Sequence, residues 1–165
     1  EDWNITLINT GEDTQTGGRI LKIKDYVDNT FCLTYGDGLS NINIKKLLQQ
    51  HKKLKKTATM TVVLPSGRFG AVEISKNKKI NKFIEKPKGD NQWVNGGFFV
   101  LEKNIFKYLK NDQTVWEKEP LENLAKDNQL FSFKHNGFWH PMDTLRDKIY
   151  LDSLWDSKKA HWKVW

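Results

Sequence analysis

The sequence predicts an α/β fold, a sheet with helices on its faces, built as one continuous domain over residues 1–165. Three observations carry that expectation. Short apolar runs alternate with stretches at helical spacing. No internal repeat, low-complexity tract or Ser/Pro-rich linker interrupts the chain. A hydrophobic fraction of 38%, with 7 Trp, 4 Tyr and 9 Phe in 165 residues, supplies apolar surface for a sizeable core and excludes a disordered chain.

The elements follow in order. Thr30 to Tyr35 is apolar and stops at Gly36-Asp37-Gly38, so it reads as a buried strand delivering a loop. Ile42 to Leu54 has helical spacing, with Ile42, Ile44, Leu47, Leu48 and His51 on one face. Thr57 to Leu64 is rich in Thr and Val and ends at Pro65, which suits a strand. Phe69 to Ile74 and Ile80 to Ile84 form a strand pair around the polar turn Ser75-Lys76-Asn77-Lys78. Gly97 to Leu101 is a strand, followed by a short helix near Ile105 to Leu109. Glu119 to Asn128 is a helix with Pro120 in its first turn, where proline is tolerated. Leu130 to Phe133 and Gly137 to Trp139 read as strands. Asp143 to Leu154 is a closing amphipathic helix bearing Leu145, Ile149, Tyr150 and Leu154.

Charge narrows the partners. Lys+Arg 27 against Asp+Glu 20 leaves +7, which suits a polyanion or a small phosphorylated substrate. The densest run, Lys45, Lys46, Lys52, Lys53, Lys55 and Lys56, falls on the predicted helix and reads as a solvated face. No Arg-rich arm or nucleic-acid motif accompanies it, so nucleic acid is not the expected partner. The single cysteine, Cys32, excludes a disulfide framework and any multi-cysteine metal site, and its apolar surroundings predict a small buried core residue. No stretch approaches the roughly twenty apolar residues needed to span a membrane, and no signal peptide is expected, so a reducing cytoplasmic setting is the expectation. Because Asp2 to Ile8 reads like the interior of a fold, the chain is expected to lack its beginning.

In open α/β sheets, ligands bind beyond the carboxyl ends of the strands. Asp37 and Asp143 fall at such ends, and carboxylates from separate strands suit one Mg²⁺ held by few protein ligands. The alternative is that Gly-Asp-Gly is a plain turn and Asp143 caps the last helix. Glu85-Lys86-Pro87 offers a point charge for a phosphate and an acceptor for sugar hydroxyls; it also fits an ordinary charged strand end. Asn95-Gly96-Gly97 permits close approach of backbone to a ligand, or simply a tight turn. In Thr14-Gln15-Thr16-Gly17-Gly18-Arg19, the glycines leave room for a base and Arg19 presents fork-shaped donors; the lysine and spacing of a P-loop are absent. The four histidines form no metal pattern, and no Ser-His-Asp ordering emerges. Trp155, Trp162 and Trp165 gather near the carboxyl end, where aromatics serve a packed tail or a subunit contact.

Taken together, the order of motifs is more specific than any one of them. Thr16–Arg19, Tyr35–Gly38, Gly67–Gly70, Glu85–Asp90, Asn95–Val100, Trp116–Leu121 and Gly137–Asp147 resemble, in sequence, the glucose-1-phosphate cytidylyltransferase branch of the sugar-phosphate nucleotidyltransferases. The resemblance covers nearly the whole chain and implies a Rossmann-like mixed sheet flanked by helices. It also implies Mg²⁺ as cofactor and CTP and glucose 1-phosphate as partners, while the Trp-rich tail leads to the expectation of a homo-oligomer in the full-length enzyme. By that likeness Asp37 and Asp143 hold the metal, and Asp37, Lys86 and Asp143 are catalytic. Gly70, Glu85, Lys86 and Asn95 bind the sugar phosphate, while Thr14, Gly17, Gly18, Arg19 and Gly36 bind the nucleotide, with Arg19 associated with cytosine selection. The family's amino-terminal strands and glycine-rich triphosphate loop have no counterpart here. The chain is therefore expected to be the carboxyl-terminal portion of such a domain, inactive when excised.

Overall fold

The structure is a computed structural model that describes residues 2–65, 71–84 and 92–164, without the side chains of 71–74 and 83–84. Its elements are α1 (Thr16–Lys22), β1 (Thr30–Thr34), β2 (Gly38–Ser40), α2 (Ile44–Leu54), β3 (Ala58–Val63), β4 (Ala71–Ile74), β5 (Ile80–Ile84), β6 (Val94–Glu102), α3 (Glu119–Lys126), β7 (Leu130–His135), β8 (Trp139–Pro141) and α4 (Leu145–Asp156). Short 3-10 turns follow α1 at Lys24–Tyr26 and β6 at Lys103–Tyr108.

Four strands form a sheet in the order β1-β6-β3-β7; β2 pairs with β8, and β4 with β5. This is the expected α/β architecture of a mixed sheet flanked by helices. The central strands carry the burial: β3, ATMTVV, is buried at all but one position, and Phe99, Val100 and Leu101 of β6 are at most 1% exposed. Hydrophobic β-branched runs buried on both faces are what a central strand requires. The β4–β5 hairpin is antiparallel, pairing Ala71 with Ile84, and turns through residues 75–79 as the polar spacing predicts.

The chain divides into two compact units. The first comprises Glu1–Leu33, Leu48–Thr59 and Phe99–Phe131. Its core sets the fully buried Trp116 edge-on to Phe99, centroids 5.6 Å apart, with Ile105 and Leu124 also wholly buried. The second comprises Thr34–Leu47, Met60–Phe98 and Ser132–Trp165, with Val63 and Leu151 among its buried apolar residues.

Four expectations change. Residues 16–22 form a helix, and Gly17 and Gly18 leave no room for a base. Gly17 and Gly18 are buried because a Cβ on either would lie 2.6–2.8 Å from the backbone of residues 112 and 114, against which α1 packs. Cys32 is exposed, not buried: β1 is an edge strand, and strand alternation turns Cys32 and Thr34 away from the side on which Phe31 stacks against Phe106. The last strand is Trp139–Pro141 and lies two residues later than the Gly137 start suggests. In α4 the inward face runs through Asp147, Leu151 and Leu154, leaving Leu145, Ile149 and Tyr150 exposed. Its apolar residues are spread around the helix, so local spacing alone does not select the buried face.

Lys45, Lys46, Lys52 and Lys53 form an exposed face of α2, as expected, with Leu47 and His51 buried on the other side, whereas Lys55 and Lys56 follow the end of the helix and Lys56 is half-buried over the Phe131 ring. Among the described residues no helix is long and apolar enough to cross a membrane.

Candidate functional site

Asp37, Gly36, Asn95 and Asp143 all belong to the second unit, and its strand pairing gathers their backbones. β2 and β8 run antiparallel with Gly38 opposite Pro141, Leu39 opposite His140 and Ser40 opposite Trp139. One step beyond that ladder, Met142 N–H donates to the Asp37 carbonyl at 2.8 Å. The two aspartates therefore leave the same end of one ribbon. Both are exposed, and among the described residues neither carboxylate has a hydrogen-bond or ion-pair partner. Gly36 is also exposed, and a Cβ there would meet nothing within 4 Å.

β6 meets this cluster through its glycine bend. Gly97 adopts φ +77°, a conformation that glycine alone takes without strain, and a Cβ there would lie 2.9 Å from the Tyr35 ring. Tyr35 N–H in turn donates to the Gly97 carbonyl at 3.1 Å. The Asn95 side chain closes the bend: its Oδ1 accepts from Gly97 N–H at 2.8 Å, and its Nδ2 donates to the Tyr35 hydroxyl at 3.2 Å. Trp139 Nε1–H donates to the Gly96 carbonyl at 2.8 Å, joining β8 to the same bend. Tyr35 and Trp139 are anchors that the sequence did not single out. Their only signal was position, next to Gly36-Asp37-Gly38 and inside the Gly137–Asp147 segment.

Asp143 does not cap α4. Thr144 is the N-cap, its hydroxyl accepting from Asp147 N–H at 3.2 Å while Asp147 reaches back to Thr144 N–H at 2.9 Å, a reciprocal capping box. The Thr144 hydroxyl also donates to Asp147, and this bond, more than partial burial opposes it, holds that carboxyl below its ordinary range; the Thr144 amide and His140 add to the effect. With the cap supplied by its neighbour, the Asp143 carboxylate is available for another task.

The donor chemistry fits Mg²⁺. Two exposed carboxylates are hard oxygen donors, and Mg²⁺ takes one or two carboxylates while keeping water and substrate phosphate in its other positions. Among the described residues no group of three or more His, Cys, Asp and Glu side chains gathers, so any ion there would share its shell with solvent or substrate.

Thr14, Gly17, Gly18 and Arg19 belong to the first unit and form their own cluster. Gly17 N–H donates to the Thr114 carbonyl at 2.9 Å, and the two glycines face the chain's own backbone. Thr14 is buried and donates to the Thr10 carbonyl at 2.5 Å. Arg19 is exposed, and its guanidinium spans Thr10 Oγ1 at 2.5 Å and the Gly11 and Glu12 carbonyls at 3.1 Å each. Gly70, Glu85 and Lys86 lie outside the described residues, as does Trp165.

Of the other aromatic residues near the carboxyl end, Trp162 packs on Phe138 at 5.4 Å, while Trp155 is half exposed with Lys163 Nζ 5.2 Å above its ring.

Comparison with known proteins fits this layout. The family model described as "Nucleotidyl transferase" matches residues 2–148. The chain is 49% identical to the glucose-1-phosphate cytidylyltransferase of Salmonella typhi, aligning over 100% of this chain and 65% of that protein. It is 44% identical to the probable glucose-1-phosphate cytidylyltransferase of Bacillus subtilis (strain 168), with the same coverage. The chain thus spans 65% of the length of these curated relatives. Among solved structures, a UDP-glucose pyrophosphorylase complexed with UDP-glucose superposes with a TM-score of 0.65 at 16% identity, covering 92% of this chain and 65% of that one, a likeness of fold. The family match, the sheet and the strand-end carboxylates agree: this chain belongs to the nucleotidyl transferase family.

Proposed function

We propose that the full-length protein carrying this chain transfers a cytidylyl group from CTP to α-D-glucose 1-phosphate, giving CDP-glucose and pyrophosphate. The 49% and 44% identities to proteins named for that reaction support the choice of substrates. The observation that carries the chemistry is the ribbon end where Asp37 C=O meets Met142 N–H, because it presents Asp37 and Asp143 together. In this reading the whole chain is part of one nucleotidyltransferase domain.

The roles follow from side-chain chemistry. Asp37 and Asp143 hold Mg²⁺, which when bound supplies positive charge beside the triphosphate. Asn95 lines the sugar site with Gly70 and Glu85, Gly36 is a nucleotide-binding residue of the second unit, and Thr14 and Arg19 are nucleotide-binding residues of the first, where Gly17 and Gly18 let α1 pack closely. Lys86 sits at the sugar phosphate. A glucose 1-phosphate oxygen forms a bond to the α-phosphorus of CTP as the bond from that phosphorus to the bridging oxygen of pyrophosphate breaks. No proton has to move, so the protein's work is positioning and charge neutralisation. The main obstacle is bringing two anions together, and Lys86 lowers it. A cytoplasmic homo-oligomer fits the lone cysteine and the exposed Leu145, Ile149 and Trp155.

Asp143→Asn in the full-length protein tests this. Losing several kcal/mol of charge stabilisation should lower Mg²⁺-dependent turnover by about a hundredfold or more with the circular dichroism spectrum unchanged. Near-normal turnover would remove the metal assignment. Wild-type turnover with UTP or dTTP in preference to CTP would overturn the nucleotide.

A further inference from the structure

Residues 2–13 contain no helix or strand, yet residues 10–14 are held by side chains of α1. Lys22, from the last turn of α1, makes two of these contacts and a third to Asp112. Its Nζ donates to the Thr10 carbonyl at 2.9 Å, to Thr14 Oγ1 at 3.3 Å and to Asp112 Oδ2 at 2.7 Å. An ammonium has three donors, and all three are used within the protein. Lys22 is thus not a free cation waiting for a phosphate.

The geometry points to Lys22 as a positioning residue for the nucleotide, an inference that rests on the roles proposed for Thr14 and Arg19. Lys22 and Arg19 leave α1 three residues apart, so they share a helix face and grip one loop. Arg19 takes Thr10 Oγ1 and the carbonyls of Gly11 and Glu12; Lys22 takes the Thr10 carbonyl and the Thr14 hydroxyl. Three of Arg19's five N–H donors go to the loop, and the rest remain for a base. Lys22 alone extends the grip to Asp112, beside the backbone on which Gly17 and Gly18 let α1 rest. The ion pair is partly exposed, at 33% and 52%, so as a stability element it is weak. Its effect is to fix where Thr14 and the Arg19 fork stand.

Steady-state kinetics of Lys22→Met and Lys22→Arg in the full-length protein, with both substrates varied, test the inference. Lys22→Met should raise KM for CTP about tenfold, with kcat within about twofold and KM for glucose 1-phosphate unchanged, and Lys22→Arg should recover most of the loss. An unchanged KM for CTP, or equal rises in both KM values, would overturn it. Should Lys22→Met fail to fold, Asp112→Asn decides: a rise of about threefold in KM for CTP alone supports the positioning role, and no rise refutes it. A wild type that uses another nucleotide overturns the cytidylyl reading only, since the same KM comparison then applies to that nucleotide. A wild type inactive with every nucleotide overturns both.

Discussion

The Trp139 indole N–H is bonded to the Gly96 carbonyl at 2.8 Å, joining the strand that leads to Asp143 with the bend that carries Asn95. Trp139→Phe keeps most of the ring but leaves a part-buried carbonyl without its donor. We expect a loss of about 1–2 kcal/mol, read as a lower urea midpoint at unchanged slope, and a fall in kcat alongside it. An unaltered midpoint would show that the carbonyl is satisfied elsewhere.

Gly97→Ala meets two penalties, a positive φ and a Cβ 2.9 Å from the Tyr35 ring. Together they should cost about 1–3 kcal/mol in thermal or urea unfolding. In a Tyr35→Ala background the contact is gone and only the φ penalty remains, so the alanine change should cost less there. Equal costs in both backgrounds would rule out the ring contact.

Acid should unfasten the start of α4. Asp147 is held below its ordinary carboxyl value, chiefly by the Thr144 hydroxyl. A folded value lower than the unfolded one contributes stability that is present above the unfolded pKa, about 3.9, and lost as pH falls through the lowered folded value. Asp147→Asn should therefore have a lower unfolding midpoint than wild type at neutral pH, with the gap closing in acid. A gap independent of pH would contradict the assignment.

His51 is 1% exposed and paired through Nδ1 with Thr59 Oγ1 at 2.8 Å and through Nε2 with Glu102 Oε1 at 3.0 Å. His51→Leu leaves the wholly buried Thr59 hydroxyl without its partner, while Glu102 keeps the Thr30 hydroxyl at 2.8 Å. The expected loss is about 2 kcal/mol by urea unfolding, with His51→Gln intermediate. A wild-type midpoint in His51→Leu would mean that this network contributes nothing.

What was legible in the sequence was local. The Thr/Val run of β3, the polar turn between β4 and β5 and Pro120 at the head of α3 each declare themselves within a few residues. Cys32 misled because an apolar run does not tell an edge strand from a central one. Gly17 and Gly18 misled because their reason for being small is a backbone nearly a hundred residues away. Asp37 and Asp143 were recognisable as strand-end carboxylates, but the β2–β8 pairing that brings them to one ribbon end leaves no local trace. The Thr144 cap was visible only as a Thr three residues before an Asp, and recognising it is what separates Asp143 from a capping role.

That same ribbon also sets an order of events. Ser40 donates to the carbonyl of Phe138, 98 residues later, and the ladder beyond it ends at Asp37 and Met142. Closing a loop of that length costs on the order of 4 kcal/mol of chain entropy plus a constant, so the ribbon gives a poor nucleus and closes late. During synthesis Asp37 leaves the ribosome long before its partner strand exists. A chain stopped before Pro141 therefore holds Asp37 without the strand that pairs with its ribbon.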